Sequence, residues 1–294
     1  MSLLSVVMST YNRGHILKET VESVLNQSFS DFEFIIIDDC STDNTAEILS
    51  SFSDKRIKIL KNSQNKGCTF NYHIAHNLAN GKYVAHIDDD DICYPNRFEK
   101  QLDFLSQNKD IALLGTFVET FGENERPSWT FYTEPEKIDF VMNFYNPICH
   151  SSIVYDKEYA EKNSINYDLT CRCAQDYDFY KQFILKGGKL ANISDILVRY
   201  RMHPKRLTDE FETQQIQINV AECVKEQLLS RFLNDNEINE VKQLLIDFPY
   251  NKYNMENAVN AIKFVGEKAI SKGFYSAETV DSIVRDVKNN LFSF

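Results

Sequence analysis

No run of apolar residues in this chain approaches the roughly 20 needed to cross a bilayer. The first residues, Met1-Ser2-Leu3-Leu4-Ser5, lack the basic stretch and the length of a secretory leader. A cytoplasmic location is the expectation. Cys-x-x-Cys pairs are also missing. The seven cysteines, Cys40, Cys68, Cys93, Cys149, Cys171, Cys173 and Cys223, are odd in number and scattered. Cys171-Arg172-Cys173 is too close-set for the common zinc patterns, so reduced thiols are expected. Basic residues are in the minority: 32 Lys and Arg against 43 Asp and Glu give a net charge of −11. That argues against nucleic-acid binding by phosphate neutralisation. An anionic ligand would need a metal ion or a few placed bases. No GxGxxG follows the first apolar run and no GxxxxGK[ST] occurs anywhere, which disfavours a dinucleotide oxidoreductase and a P-loop ATPase. Internal repeats and low-complexity tracts are absent as well.

What is present is a globular composition. The 294 residues are 43% hydrophobic and 26% charged, and 21 Phe with 15 Tyr make a sizeable core feasible. Apolar runs at Leu3–Met8, Phe32–Ile37, Ile57–Leu60 and Tyr83–Ile87 alternate with helix-period segments at His15–Asn26, Thr42–Phe52, Thr69–Leu78 and Asn96–Ser106. This alternation predicts an α/β fold, a mostly parallel sheet flanked by helices. Beyond residue 110 the pattern predicts a strand over Ile111–Phe121 broken at Gly115, a polar loop over 122–136 and a strand over Ile148–Tyr155. A helix over Tyr177–Leu185 stopped by Gly187-Gly188 follows, then short strands Leu190–Ile193 and Ile196–Tyr200. From about Thr208 the period is helical over Ile216–Phe232, Glu237–Phe248, Asn254–Ser271 and Ala277–Leu291. The switch divides the chain into an α/β domain, 1–205, and a helical C-terminal extension, 206–294, suited to a cap, a dimerisation element or an acceptor-side lid.

Ligands of open α/β sheets bind at the carboxyl ends of the strands. Three polar clusters fall there: Ser9-Thr10-Tyr11-Asn12-Arg13, Asp38-Asp39-Cys40-Ser41-Thr42-Asp43 and Asp88-Asp89-Asp90-Asp91. A ring such as Tyr11 can stack on a base, and an acid such as Asp39 can accept its N–H groups. Four adjacent carboxylates repel one another, and a divalent cation beside phosphate oxygens would relieve them. Taken alone the run also reads as a solvated acidic turn. A calcium-binding EF-hand starting at Asp88 fails, because Ile92 and Cys93 stand where a ligand and a glycine are required.

With Ser5–Arg13, Ile36–Thr45, Asn65-Lys66-Gly67, Gly81–Asp91, Ala174–Phe179 and Tyr200-Arg201-Met202-His203, the chain resembles glycosyltransferase family 2 over roughly residues 3–204. These are inverting enzymes of the GT-A (Rossmann-like) fold. The resemblance implies transfer of a hexose or N-acetylhexosamine from a nucleotide sugar, usually UDP-linked, to a saccharide hydroxyl. The acceptor would be a growing surface polysaccharide or a lipid-linked saccharide, and the cofactor a divalent metal, Mn2+ or Mg2+. It implies that Thr10 and Tyr11 line the nucleotide pocket and that Asp39 bonds the base. Asp88 would face the ribose and Asp90 ligate the metal. Asp89 either contacts the donor sugar or points away, and Asp91 reads as a helix-entry carboxylate before Pro95. Asp176 matches the catalytic base, at a helix N-terminus that would keep it ionised; helix capping is the competing and compatible role.

Three departures from the family pattern stand out. Gln175 replaces a common Glu, Ser9 a common Pro, and Asn71-Tyr72-His73 an Arg-Asn element that contacts the donor, which leaves Lys66 as the basic candidate near the diphosphate. His150 falls on the acceptor side in relatives. His203, in the element that closes the fold, can approach the metal or diphosphate. Arg201 and Trp129 read as packing residues with diphosphate or sugar contact as the alternative, and His73, His76 and His86 as structural. Ile262, Phe264, Val265, Ile270 and Phe274 would pack in a core, or else present a peripheral membrane or homo-oligomer face. Two other classes stay open: a sugar-phosphate nucleotidyltransferase, against which the single glycine in 9–14 speaks, and a non-catalytic nucleotide-sugar-binding protein.

Overall fold

The computed structural model describes residues 2–123, 132–202, 211–245 and 255–288. Trp129 and His203 lie outside them. Strands β1 (Leu4–Thr10), β2 (Phe32–Asp38), β3 (Ile57–Lys61) and β4 (Tyr83–His86) alternate with helices α1 (Leu17–Leu25), α2 (Thr45–Ser50) and α3 (Cys68–Leu78). After them come β5 (Ile92–Cys93), α4 (Arg97–Gln107), β6 (Ile111–Gly122), α5 (Pro135–Val141), a 3-10 turn (His150–Ser152), β7 (Val154–Asp156), α6 (Lys157–Lys162), α7 (Gln175–Leu185) and β8 (Lys189–Met202). Helices α8 (Phe211–Leu229), α9 (Asp235–Leu244), α10 (Met255–Ser271) and α11 (Ala277–Lys288) complete the described chain.

The eight strands form one mixed sheet in the order β3-β2-β1-β4-β7-β6-β8-β5. Pairings β1–β2, β1–β4, β2–β3 and β6–β8 are parallel; β4–β7, β6–β7 and β5–β8 are antiparallel. The unbroken apolar runs of β1 and β2 follow from burial on both faces. Val7, Ile35, Ile37 and Val84 pack under α3 and α7 with Tyr72, Ala75, Phe179 and Phe183, while Val6, Met8, Phe34 and Ile36 pack against Val21 and Val24 of α1 and Phe98 and Leu102 of α4. Successive residues alternate between the two cores, as the period of two demands.

The second half departs from the sequence pattern in two places. Gly115 does not break its strand: β6 runs through it, because Asn192 and Ile148 crowd the place a Cβ would take. Its partner β8 is likewise one strand. The two predicted short strands are joined across Ser194-Asp195, where the pairing steps from Thr116–Ile193 to Phe117–Ile196, a bulge. Of the predicted strand over Ile148–Tyr155 only Val154 and Tyr155 are in a strand; His150–Ser152 form a 3-10 turn, held by Ser152 Oγ donating to Cys149 O at 2.8 Å and accepting from Thr116 N at 3.1 Å. Apolar flanks concealed this polar turn.

A third core joins α5 to the C-terminal helices, with Phe140, Phe144, Phe232, Val241, Ile262, Val265, Ile283 and Val284 buried together. Core packing thus accounts for Ile262 and Val265, with Phe264 and Ile270 partly buried against them, while Phe274 is exposed. No helix among the described residues is long and apolar enough to cross a membrane.

Candidate active site

The tips of β1, β2 and β4 meet at one edge of the sheet. After β1, Thr10 is buried and Tyr11 is 44% exposed, free to offer its ring. Asn12 adopts a left-handed conformation (φ 55°), and its Oδ1 accepts from Thr42 N at 2.8 Å, which ties the β1 tip to the β2 tip. Asp39 N donates to Thr10 O at 2.9 Å. The Asp39 carboxylate, buried, accepts from Lys66 N (2.9 Å), Gly67 N (2.8 Å) and Asn62 Nδ2 (2.7 Å). Gly67 sits at φ 85°, a conformation that favours glycine, and it starts α3. Lys66 therefore serves Asp39 through its backbone; its exposed ammonium lies 5.8 Å from the Phe70 ring centroid. Asn71, one of the departures from the family pattern, is buried. It links the tips, donating to Ser9 Oγ and accepting from Asn62 Nδ2 at 2.8 and 2.7 Å.

The four aspartates do not act as one cage. Asp88 turns toward α3 and the 3-10 turn: its Oδ1 accepts from Tyr72 Oη at 2.8 Å and lies 3.3 Å from His150 Nδ1. Burial alone would raise its carboxyl. The His150 and Tyr72 bonds and the buried Arg97 charge outweigh burial and hold it below the usual range. Asp89 turns toward β1, 3.5 Å from Arg13 Nε, and Asp90 lies 3.7 Å from Arg13 Nη2. Burial, reinforced by the Asp90 charge, pushes Asp89 up to about 7 against the pull of Arg13 and the Thr10 hydroxyl. Asp91 is no helix-entry residue. It is fully buried ahead of β5, accepts from Arg201 N at 2.8 Å, and is raised well above the usual range by burial and by Asp90 and Asp88. Arg201 also grips Asp90 O with Nε at 2.7 Å, so it holds the acidic loop to β8.

Asp176, the second residue of α7, accepts from Asn146 Nδ2 at 2.8 Å. The helix N-terminus pulls its carboxyl down, but burial pulls the other way. Burial raises its carboxyl, and the Asp88 charge adds to this; the His150 charge and the N–H groups of Tyr177 and of Asp176 itself only partly offset the rise. A carboxylate that holds a proton more tightly is a better acceptor for one. His150 feels both Asp88 and Asp176, which raise it against the effect of burial. Its Nε2 lies 3.1 Å from both His86 Nδ1 and Tyr167 Oη, so it is placed between the two acids and a buried aromatic cluster.

Asp88, Asp90 and Asp176 are hard oxygen donors of the kind Mg2+ and Mn2+ take. Burial first, and the neighbouring Asp charges second, raise the carboxyls of Asp89 and Asp91, and a cation beside them would favour the ionised forms. A second cluster, Asp168, Cys171 and Asp178, offers ligand atoms within 4.8 Å, yet Asp178 is already taken by Lys181 Nζ at 2.5 Å and Gln182 Nε2 at 2.8 Å. The sequence did not single out Tyr72, Tyr167, Arg13 or Asn146 as site residues, and it set His86 aside. Arg13 lay in the polar cluster after β1, Tyr72 in the element that departs from the family pattern, and Asn146 four residues before His150; Tyr167 carried no local signal.

Comparison with known proteins bears on this edge. The family model described as Glycosyl transferase family 2 matches residues 5–163. An uncharacterised glycosyltransferase of Haemophilus influenzae is 30% identical over 79% of this chain and 75% of its own length; one of Methanocaldococcus jannaschii is 36% identical over 68% and 71%. The Escherichia coli protein named UDP-Glc:alpha-D-GlcNAc-diphosphoundecaprenol beta-1,3-glucosyltransferase WfaP is 27% identical over 76% and 87%. Among solved structures, S. aureus TarS 1-349 in complex with UDP-GlcNAc superposes over 98% of this chain and 88% of its own, with TM-score 0.66 and 17% identity. The longer TarS structure is covered over 53% of its length.

Proposed function

We propose a reaction from one premise: this chain belongs to glycosyltransferase family 2. It is a glycosyltransferase with the GT-A fold. In our reading it moves a hexose or N-acetylhexosamine from a UDP-linked donor to a hydroxyl of a lipid-linked or polymeric saccharide, with inversion, in surface polysaccharide synthesis. The names of its relatives favour that chemistry: WfaP carries a UDP-Glc donor and a diphosphoundecaprenol-linked acceptor in its name, and TarS was solved with UDP-GlcNAc.

The observation that carries the proposal is the placing of Asp176. It is partly buried, bonded to Asn146, and near enough to Asp88 and His150 for their charges to act on its carboxyl, which supports a base beside the proposed donor contacts. Tyr11 stacks on the uracil and Asp39, held by three donors, accepts a base N–H. Asp88 bonds the ribose, and Asp89 meets the donor sugar. The acceptor hydroxyl gives its proton to Asp176 as its oxygen attacks the anomeric carbon from the face opposite the diphosphate. The carbon–oxygen bond to the diphosphate breaks, and its electron pair leaves with UDP. A divalent cation held by Asp90, with Asp88 near it, would act as the Lewis acid for the departing diphosphate. The C-terminal helices are the proposed acceptor-side element.

Asp176→Asn tests the assignment. Transfer, followed by mass spectrometry of the product, should fall by about 10²–10⁴-fold while UDP binding is retained. The wild-type product from an α-linked donor should be β by NMR. A variant that transfers at the wild-type rate removes Asp176 from the role of base, whereas a wild type that binds UDP-sugar and transfers nothing favours a non-catalytic binder.

A further inference from the structure

We propose that His150, backed by His86 and Tyr167, is a positioning residue that locks the Asp88 carboxylate for the nucleotide of the donor. The proposal rests on the reading of Asp88 as a donor contact.

A carboxylate at a strand tip rotates freely about its last torsion, whose preferences are broad. Here it is pinned. Both side-chain bonds described for Asp88 fall on Oδ1, from Tyr72 Oη and His150 Nδ1, while the side chain stays 33% exposed toward the site. Two donors on one oxygen fix the plane of the group and leave the other oxygen for a ligand. Because Asp88 can only accept, Nδ1 of His150 carries the hydrogen. The far nitrogen, Nε2, meets His86 Nδ1 and Tyr167 Oη, both at 3.1 Å. Each ring nitrogen of His150 thus has a partner, and the ring cannot flip without losing one of them.

The backing is rigid. His86 stacks on Tyr72 (centroids 4.8 Å, 29°) and on Tyr167 (5.7 Å, 26°), and Tyr167 stacks on Phe179 at 4.2 Å. Arg97 Nη2 grips His86 O at 2.7 Å and Ile153 O at 3.3 Å, which ties the strand before the acids to the turn that carries His150. His86 Nδ1 lies 3.1 Å from His150 Nε2 and 3.3 Å from Tyr167 Oη, so the three side chains meet at one buried point. A group built only to fill space would not need this run of matched donors and acceptors. Preorganising Asp88 spares the donor the cost of ordering it.

The test measures UDP binding by calorimetry in excess Mg2+, donor KM and kcat, and melting temperature. His150→Ala should weaken UDP and raise donor KM by about tenfold, with kcat at saturating donor changed less. His150→Asn, which keeps a donor near the Nδ1 position, should recover to within about threefold of wild type. In an Asp88→Ala background, His150→Ala should cost less than about twofold, because its target is gone. Overturning results are UDP binding by His150→Ala within about twofold of wild type, or full multiplication of the two losses in the double variant. If Asp88→Ala alone leaves UDP binding unchanged, the reading of Asp88 falls and the positioning role with it. Should His150→Ala not fold, Tyr72→Phe removes a single hydroxyl from the same Oδ1. It should weaken UDP several-fold in the wild type and not in the Asp88→Ala background; equal losses in both overturn the proposal.

Discussion

The two ends of one sheet treat buried acids in opposite ways. At the amino end Glu33, near the start of β2, accepts from Ser5 Oγ (2.6 Å), Lys58 Nζ (2.5 Å) and Asn80 N (2.7 Å). Burial alone would raise its carboxyl, but these bonds outweigh it and leave the group below its usual range. At the carboxyl end Asp88 is held down in the same manner by His150 and Tyr72, but its neighbours Asp89 and Asp91, and Asp176, are raised, with burial the largest cause for each. The first arrangement holds strands together. The second crowds acids whose carboxyls hold their protons more tightly than usual, at the edge where a diphosphate and its cation are proposed to arrive. Sites built for ligands break local rules that the rest of the fold obeys.

The contrast can be broken from either end. Asp90→Ala should have the largest effect: transfer should fall by about 10²–10³-fold and lose its response to added Mn2+, read in a metal titration of the initial rate. Retained metal dependence would move the ligand role elsewhere in the acidic loop. Glu33→Leu comes next. It strands Asn80 N and Ser5 Oγ and should destabilise by about 1–3 kcal/mol in denaturant unfolding, with UDP affinity unchanged.

Asp89→Asn should have the smallest effect and the opposite sign. A carboxyl raised to about 7 from 3.8 binds its proton more tightly folded than unfolded, so stability falls as pH rises through that interval. Removing the charge should raise the melting temperature at pH 8 by about 2–4 °C, and the gain should vanish below pH 4, where both forms are neutral. The donor KM of the same variant reports whether Asp89 meets the sugar. A drop in melting temperature at pH 8 would show that the Arg13 contact outweighs the charge crowding.

The parts legible in the sequence were those with a short-range cause. Runs such as Phe32–Asp38 could be read because burial on both faces needs consecutive apolar residues, and the polar tips after β1, β2 and β4 because the chain must turn there. Asp39, Asp88 and Asp176 were singled out in that way or by family pattern, and remain proposed site residues. What escaped depends on residues far apart in the chain. His86 and His150 are 64 positions apart and meet only because β4 pairs with β7 beside the 3-10 turn. Arg13 reaches the acids across the sheet edge. The environment of Asp176 was only half legible: its helix terminus is visible in sequence, the burial that opposes it is not. Asp91 was misplaced for the same reason: nothing local announces that Arg201, 110 residues on, closes over it.

One element touches both the base side and the ribose side of the proposed donor site. Helix α3 begins at the Gly67 turn that holds Asp39, sends Asn71 to Ser9 at the tip of β1, and one residue later sends Tyr72 to Asp88. Base pocket and acidic loop therefore share a single mechanical mount. Variation that retunes sugar preference has room in the loops that face the ligand and little along this helix, where any slip would misalign both ends of the nucleotide together. Transplanting donor specificity between relatives would call for moving residues 62–72 as one cassette.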